Sequence, residues 1–158
     1  MKVYKGDLHI HTCLSPCADL EMCPSTIVKK SLEKGLNVIA VCDHNSAENV
    51  GAVLRAGMAR GLYVLPGMEI NSSEEVHILA VFDHEGQAQT MQDIIYRHLE
   101  GVNRPDIFGE QIVVNEFDEV EGYSDRLLIG STGLGLGEIV NEIHSIGCLL
   151  YTSPSPRD

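Results

Sequence analysis

Short apolar segments alternate with amphipathic segments along the first two thirds of the chain, and this alternation restricts the folds that the chain can adopt. The periodicity predicts strands at residues 3–11, 37–43, 63–70 and 75–82, with helices at 24–35, 47–60 and 88–100. Strands that alternate with helices are typical of an α/β fold with parallel strands. We therefore predict a single α/β domain.

The last third of the chain is less regular. Residues 109–125 are polar and rich in acids, and a strand-like core at 111–115 predicts an excursion or hairpin there. A periodic segment at 136–146 predicts a last helix that ends at Gly147. Residues 148–158 have neither period nor core character, although the alternation calls for another buried strand. We expect a domain at 1–147 that is incomplete at its C-terminus, followed by a non-native or frame-shifted tail at 148–158.

Composition limits the partners that the chain can attract. The 158 residues carry 11 Lys and Arg against 23 Asp and Glu, so the net charge of -12 repels nucleic acid and anionic membranes. Any phosphate group must therefore be attracted locally, for example by bound metal ions. The sequence contains no long apolar segment typical of a signal peptide or membrane span, which predicts a cytoplasmic protein without membrane contact. Its five cysteines are expected to be reduced bystander thiols.

Residues of the types that bind metal ions recur at the ends of the predicted strands. In parallel α/β barrels the carboxyl ends of the strands form the active site, so side chains at these positions converge. The candidate ligands come from the first strand end, the first loop, the second and third strand ends and the fourth strand; they are His9, His11, Asp19, His44, Glu69 and His77.

Each candidate also has an ordinary interpretation when it is taken alone. A histidine is often a surface or core residue, Asp43-His44-Asn45 could form a turn with a helix cap, and Glu69 could be a solvated strand end. The conjunction at successive strand ends favours a metal site. Imidazole and carboxylate donors suit Zn, Mn or Fe, and six donors suit two or three ions with Glu69 as a bridge. Such clusters activate water as hydroxide and bind the oxygens of a phosphoryl group.

Three segments, together with His77, resemble the PHP family, named after polymerase and histidinol phosphatase. They read Asp-Leu-His-Ile-His-Thr at 7–12, Val-Cys-Asp-His-Asn at 41–45 and Leu-Pro-Gly-Met-Glu at 65–69. The resemblance spans residues 1 to about 147. It implies a distorted (β/α)7 barrel with a trinuclear metal centre that hydrolyses phosphate esters. The implied substrates are histidinol phosphate, nucleotides or the 5′ ends of short nucleic acids.

The same resemblance implies how the ligands are shared among the ions. His9, His11 and Glu69 would bind a first ion, Glu69 and His77 a second, and Asp19 and His44 a third; Glu69 and His44 are also our candidates for catalysis. The family pattern requires a further His and an Asp-x-His motif on later strands, which this sequence lacks. We therefore expect an incomplete barrel with poor solubility and little or no activity.

The sequence leaves three classes of function open. The first is a metal-dependent phosphoesterase that acts on a small phosphorylated substrate or a nucleic-acid 5′ end, with Arg55, Arg60 or Arg97 as candidates for orienting the phosphate. The second is a metallohydrolase that cleaves an amide or a lactone, because the same ligands activate water for attack on a carbonyl group. The third is a metal-binding PHP module without catalysis.

Overall fold

The computed structural model describes residues 3–147 and 149–151. A five-stranded sheet has the order β1-β2-β3-β4-β7, and a separate two-stranded hairpin consists of β5 and β6. The strands are β1 (Gly6–Ile10), β2 (Val38–Val41), β3 (Tyr63–Asn71), β4 (His77–Val81), β5 (Ile112–Val114), β6 (Val120–Tyr123) and β7 (Leu149–Tyr151). The helices are α1 (Pro24–Glu33), α2 (Val50–Arg60), α3 (Glu85–His98), α4 (Pro105–Phe108) and α5 (Leu136–Ser145). The predicted α/β class is confirmed.

Helices α1 and α2 end close to the predicted glycines, whereas α2 and α3 begin at other residues than predicted. Gly35 and Gly61 follow α1 and α2 with positive φ angles of 72° and 75°, as expected for left-handed helix ends. Helix α2 begins three residues later than predicted, because the preceding chain first runs beside β3, with Asn45 at a φ of 50°. Helix α3 begins earlier than predicted, and there the Gln87 side chain accepts a hydrogen bond from the His84 N–H at 3.0 Å.

The sheet is mixed, so the prediction of parallel strands is wrong for β4. Strands β1, β2 and β3 are parallel, but β4 runs antiparallel to β3, with Asn71 opposite His77 and Glu69 opposite Leu79. The physical reason is the short connection of residues 72–76, since a parallel pair needs a crossover of about a dozen residues or more. His77 consequently begins β4 at the edge of the sheet where β3 ends.

The predicted hairpin in the polar stretch is confirmed and is held against the body of the domain. Asn49, which is buried, donates a hydrogen bond from Nδ2 to the Ile112 carbonyl and accepts one from the Val114 N–H. At the hairpin turn, the Asp118 carboxylate accepts hydrogen bonds from the backbone N–H and the hydroxyl of Ser25 in the first turn of α1. A carboxylate is favourable there because it satisfies free N–H groups and the helix dipole.

The two faces of the sheet have different roles. One face carries the large core, where Ile39, Val64 and Ile70 pack among residues of the helices. The opposite, inner face carries a small apolar cluster around Ala40, Cys42, Leu79 and Val81. Since side chains alternate along a strand, the inner face also receives Glu69 two residues after Gly67 and His77 two residues before Leu79.

The described residues after Gly147, 149–151, form a strand that the sequence does not predict. Strand β7 pairs antiparallel with β4, with Leu149 opposite Val81. Residues 148 and 152–158 lie outside the described residues, and the non-native origin of the tail stays a prediction. Among the described residues, no helix combines the length and the apolar character that a bilayer crossing requires.

Candidate metal centre

Four imidazole rings surround the carboxylate of Glu69, which is almost fully buried on the inner face of the sheet. Glu69 Oε2 lies 3.0 Å from His9 Nε2, 3.0 Å from His11 Nε2 and 3.5 Å from His44 Nδ1. Glu69 Oε1 lies 3.0 Å from His77 Nδ1. The two oxygens of one carboxylate therefore face different imidazole groups, which is the arrangement that a bridging ligand needs.

Backbone pairing explains why His44 and His77 reach Glu69. The chain beyond β2 continues beside β3, where His44 forms an isolated parallel bridge with Glu69 and the Glu69 N–H donates to the Asp43 carbonyl at 3.0 Å. On the other side, His77 lies two residues from Leu79, the direct partner of Glu69 across the antiparallel pair. Such diagonal neighbours share a face of the sheet.

The first strand supplies the remaining two imidazoles. His9 lies near the end of β1 and His11 just beyond it, and residues two apart project from the same side of a strand. Their Nε2 atoms are 3.0 Å apart and both rings face Glu69. Five of the six predicted ligands thus meet at one place.

The cluster is strongly polarised. Burial acts to raise the pKa of Glu69, but hydrogen bonds with His11 and His9 outweigh burial and hold that pKa well below its usual range. Burial acts to lower the pKa of His11, while Cys17 and Glu69 raise it to about 10. Burial and the positive charge of His11 lower the pKa of His44 to about 4. Without a metal ion, the carboxylate therefore pairs with a protonated His11, and His44 stays neutral.

A buried serine orients the imidazole of His11 and binds the backbone of His44. Ser15 Oγ donates a hydrogen bond to Asp43 Oδ1 at 2.6 Å, and it faces His11 Nδ1 at 3.0 Å and accepts from the His44 N–H at 3.1 Å. Thr12 donates to the same carboxylate from its N–H and its hydroxyl, each at 2.7 Å. Because the serine proton is used on Asp43, Nδ1 of His11 must carry a proton, which leaves Nε2 for a metal ion.

Replacing Ser15 by alanine is expected to weaken metal binding by about 10-fold to 100-fold, the usual effect of removing an outer hydrogen-bond partner of a ligand. The measurement is competition with a chromophoric chelator, with thermal unfolding recorded beside it. Ser46→Ala is the matched control, because Ser46 is equally buried but its hydroxyl contacts Gln92 and Tyr96 on α3. An unchanged metal affinity in Ser15→Ala would contradict this assignment of roles.

The donor atoms fit a cluster of divalent ions. Three groups each bring their donor atoms within 4.8 Å of one another: His9 with His11 and Glu69, His44 with Glu69 and His77, and His11 with Cys17 and His44. Donors that share one tetrahedral zinc ion are separated by roughly 3.3–3.5 Å, given Zn–N of about 2.0 Å and Zn–S of about 2.3 Å. The nitrogen–oxygen distances around Glu69 are close to this range. The mixture of imidazole and carboxylate suits Zn, Mn or Fe.

The structure does not bring Asp19 to this cluster. Asp19 lies in an exposed turn, where its Oδ1 accepts a hydrogen bond from the Glu21 N–H at 2.9 Å, and its role as a ligand stays a prediction. Cys17 takes a position that the sequence analysis missed, with Sγ at 3.3 Å from His44 Nε2. The available signal was its place in the loop directly after the His-x-His segment. Cys13 and Cys42 are buried, as expected of bystander thiols.

A cavity of about 770 Å³ opens over the cluster and is lined by two lysines. Lys30 lies in the last turn of α1, and Lys34 is the residue that caps the end of this helix. The three arginines predicted to orient phosphate do not line this cavity, and Arg55 instead pairs with Glu116 at 3.0 Å. Among the described residues, the cationic side chains placed to contact a phosphate in this cavity are therefore these two lysines.

Comparison with known proteins identifies the family. The family model of the PHP domain matches residues 7–148. This chain belongs to the PHP domain family. The match includes all the imidazole and carboxylate residues that meet at the cluster.

Two curated relatives of this PHP domain are 5′-3′ exoribonucleases. The Haemophilus influenzae protein is 30% identical over 80 residues, which are 49% of this chain and 28% of the relative. The Salmonella typhimurium protein is 32% identical over 82 residues, which are 48% of this chain and 26% of the relative. The matched region thus spans little more than a quarter of each relative.

Solved structures share the fold at low sequence identity. A protein described as a metal-dependent phosphoesterase, from Bifidobacterium adolescentis, superposes with a TM-score of 0.64 at 16% identity, over 94% of this chain and 66% of that one. The lesion-specific endonuclease PfuEndoQ from Pyrococcus furiosus gives a TM-score of 0.59 at 16% identity, over 93% and 33%. The PHP domain therefore has the predicted PHP-type fold, and its curled sheet corresponds to part of the barrel.

Proposed function

We propose that this PHP domain is a metal-dependent phosphoesterase. The observation that carries the proposal is the buried Glu69 carboxylate with four imidazole rings around it. Bound divalent ions would supply an activated water molecule and would neutralise the oxygens of the phosphate group. Burying a carboxylate among four imidazoles costs desolvation free energy, so the stability of the fold alone does not favour such a cluster.

The residues divide into two positions around the carboxylate. His9 and His11 would hold one ion with Glu69 Oε2, and His77 would hold another with Glu69 Oε1, so that Glu69 bridges them. His44 faces the same carboxylate through Nδ1. We assign catalytic roles to Glu69 and His44. Glu69 faces both ion positions, and the ring of His44 lies between those of His11 and His77, so both residues would be near a phosphate bound to the ions.

The proposed substrate class is a nucleic acid with a 5′ phosphate. The names of the two curated relatives support action on a nucleic acid in the 5′ to 3′ direction. A solved complex of endonuclease Q with a 27-mer duplex substrate, which has the same fold with a TM-score of 0.56, supports a nucleic-acid substrate more generally. Lys30 and Lys34 offer positive charge inside the cavity, against the net charge of -12 that repels polyanions elsewhere. A second phosphate of an oligonucleotide could pair with them.

The test is turnover of a 5′-phosphorylated oligoribonucleotide after chelation and reloading with Mn or Zn. We expect activity only after reloading, at a low level because the barrel is incomplete. We expect His9→Ala to lose more activity than the 10-fold to 100-fold that follows removal of a ligand's hydrogen-bond partner. His98→Ala is the control, since His98 is exposed on α3 away from the cluster. Turnover that survives chelation or the His9→Ala change would overturn the proposal. Tight metal binding without turnover of any phosphate ester would instead indicate a metal-binding module.

A further inference from the structure

Cys17 is the one donor in the three groups that is neither an imidazole nor a carboxylate. It lines the same cavity as the cluster and its side chain is exposed, whereas Cys13 and Cys42 are buried. Its Sγ lies 3.3 Å from His44 Nε2. The thiol is therefore accessible from the cavity to an ion that enters the centre.

The two ring nitrogens of His44 point at two different donor groups. Nδ1 faces Glu69 Oε2 at 3.5 Å, and Nε2 faces Cys17 Sγ at 3.3 Å. Each nitrogen of an imidazole can bind only one ion, so the nitrogen directed at Cys17 does not belong to the group around Glu69. The ring of His11 lies beside both, with a centroid distance of 4.6 Å to the ring of His44.

We infer that Cys17 is a thiolate ligand and that it forms, with Nε2 of His44, a further ion position that is selective for zinc. This inference rests on the proposed metal centre. Zinc bound tetrahedrally by one sulfur and one nitrogen separates those atoms by roughly 3.5 Å, close to the distance in this structure. On binding, the S–H bond of Cys17 breaks, its proton passes to solvent and a metal–sulfur bond forms, with no change of oxidation state.

The thiolate changes which metal the position accepts. Carboxylate and water ligands suit Mn or Mg, whereas thiolate selects zinc and other soft ions. Asp19, the residue that the sequence suggested for this position, is exposed and hydrogen bonded within its own turn. Cys17→Asp is therefore expected to shift the preference of this position from zinc towards manganese, while the group around Glu69 keeps its metals.

The test uses the full chain and cobalt(II) as the probe, because a cobalt–thiolate bond gives a charge-transfer absorption in the near ultraviolet. We expect this absorption in the unmodified protein, its loss in Cys17→Ser together with one equivalent of bound metal, and its retention in Cys23→Ser. Cys23 is the matched control, since it lies in the same loop with Sγ directed at Cys13 and at the Leu20 carbonyl. Zinc should also protect Cys17 from alkylation, as read by mass spectrometry of the modified peptide.

The outcomes separate this inference from the proposed function. Cobalt that binds without the thiolate absorption, or equal alkylation of Cys17 with and without zinc, overturns the role of Cys17 and leaves the centre around Glu69 standing. An unmodified protein that binds neither cobalt nor zinc overturns both.

Discussion

Replacing Glu69 by glutamine is expected to abolish phosphoesterase turnover and metal loading at the two positions that contain this residue, while the fold persists. The amide keeps the shape of the side chain but removes the charge that faces His9, His11 and His77 at 3.0 Å. Because Glu69 belongs to two of the three donor groups, both lose their anionic ligand at once. A divalent ion would then meet only neutral donors in a buried site, which is unfavourable. Elemental analysis of the purified variant measures the effect directly.

A matched control tests whether the effect depends on the position of the lost carboxylate and not only on the loss of one negative charge. Glu116→Gln removes a carboxylate that pairs with Arg55 at 3.0 Å outside the cavity, and we expect its metal content to equal that of the unmodified protein. Circular dichroism establishes that both variants keep their helices. Equal metal content in Glu69→Gln and Glu116→Gln would show that Glu69 is not the bridging ligand.

The sequence predicts the elements that local patterns determine. The left-handed ends of α1 and α2 follow from Gly35 and Gly61, and the hairpin follows from a short apolar segment between acidic turns. The direction of β4 was predicted wrongly, although the five residues 72–76 are too few for a crossover. Strand β7 is not predicted because residues 149–151 have no alternating pattern. A strand forms there because these residues pair with β4.

The site divides in the same way. His9, His11, His44, Glu69 and His77 were predicted from strand positions, because the strand direction and the alternation of side chains determine where they point. The loop after β1 was not predictable, since hydrogen bonds to a residue 28 to 31 positions away determine its course. This loop decides that Cys17 faces His44 while Asp19 faces solvent. Sequence spacing alone carries no information about such long-range bonds.

The cations that contact the phosphate are likewise not predictable from the sequence alone. Arg55 and Arg60 lie on α2 and Arg97 lies on α3, and the sequence does not reveal which helix borders the cavity. In the structure, Lys30 of α1 and Lys34 at the end of this helix line the cavity instead. The sequence shows which side chains are cationic, but which helix lines the cavity depends on the tertiary packing.

A methyl group added at Gly67 is expected to destabilise the domain strongly, because it would be wedged between two neighbouring strands. The new Cβ would lie 2.9 Å from the Val41 carbonyl oxygen on β2, 3.0 Å from the Ala80 carbonyl oxygen on β4 and 2.5 Å from Cys42 Sγ. Two of these contacts are backbone atoms of the strands on either side, so relief requires the sheet to open. Overpacking of a core costs about 1–3 kcal/mol and occasionally more. We place Gly67→Ala at the upper end, at about 3 kcal/mol.

The measurement is thermal unfolding of Gly67→Ala beside Gly86→Ala. Gly86 lies exposed in α3 with no atom within 4 Å of an added Cβ, so alanine there should be neutral or stabilising by up to about 1 kcal/mol. For a domain of this size, 3 kcal/mol lowers Tm by roughly 6–12 °C. Glu69 follows two residues later on the same face, so opening the sheet at Gly67 should also weaken metal binding. Equal Tm values for the two variants would mean that the neighbouring strands make room for the methyl group without cost, and the prediction from close packing at Gly67 would be wrong.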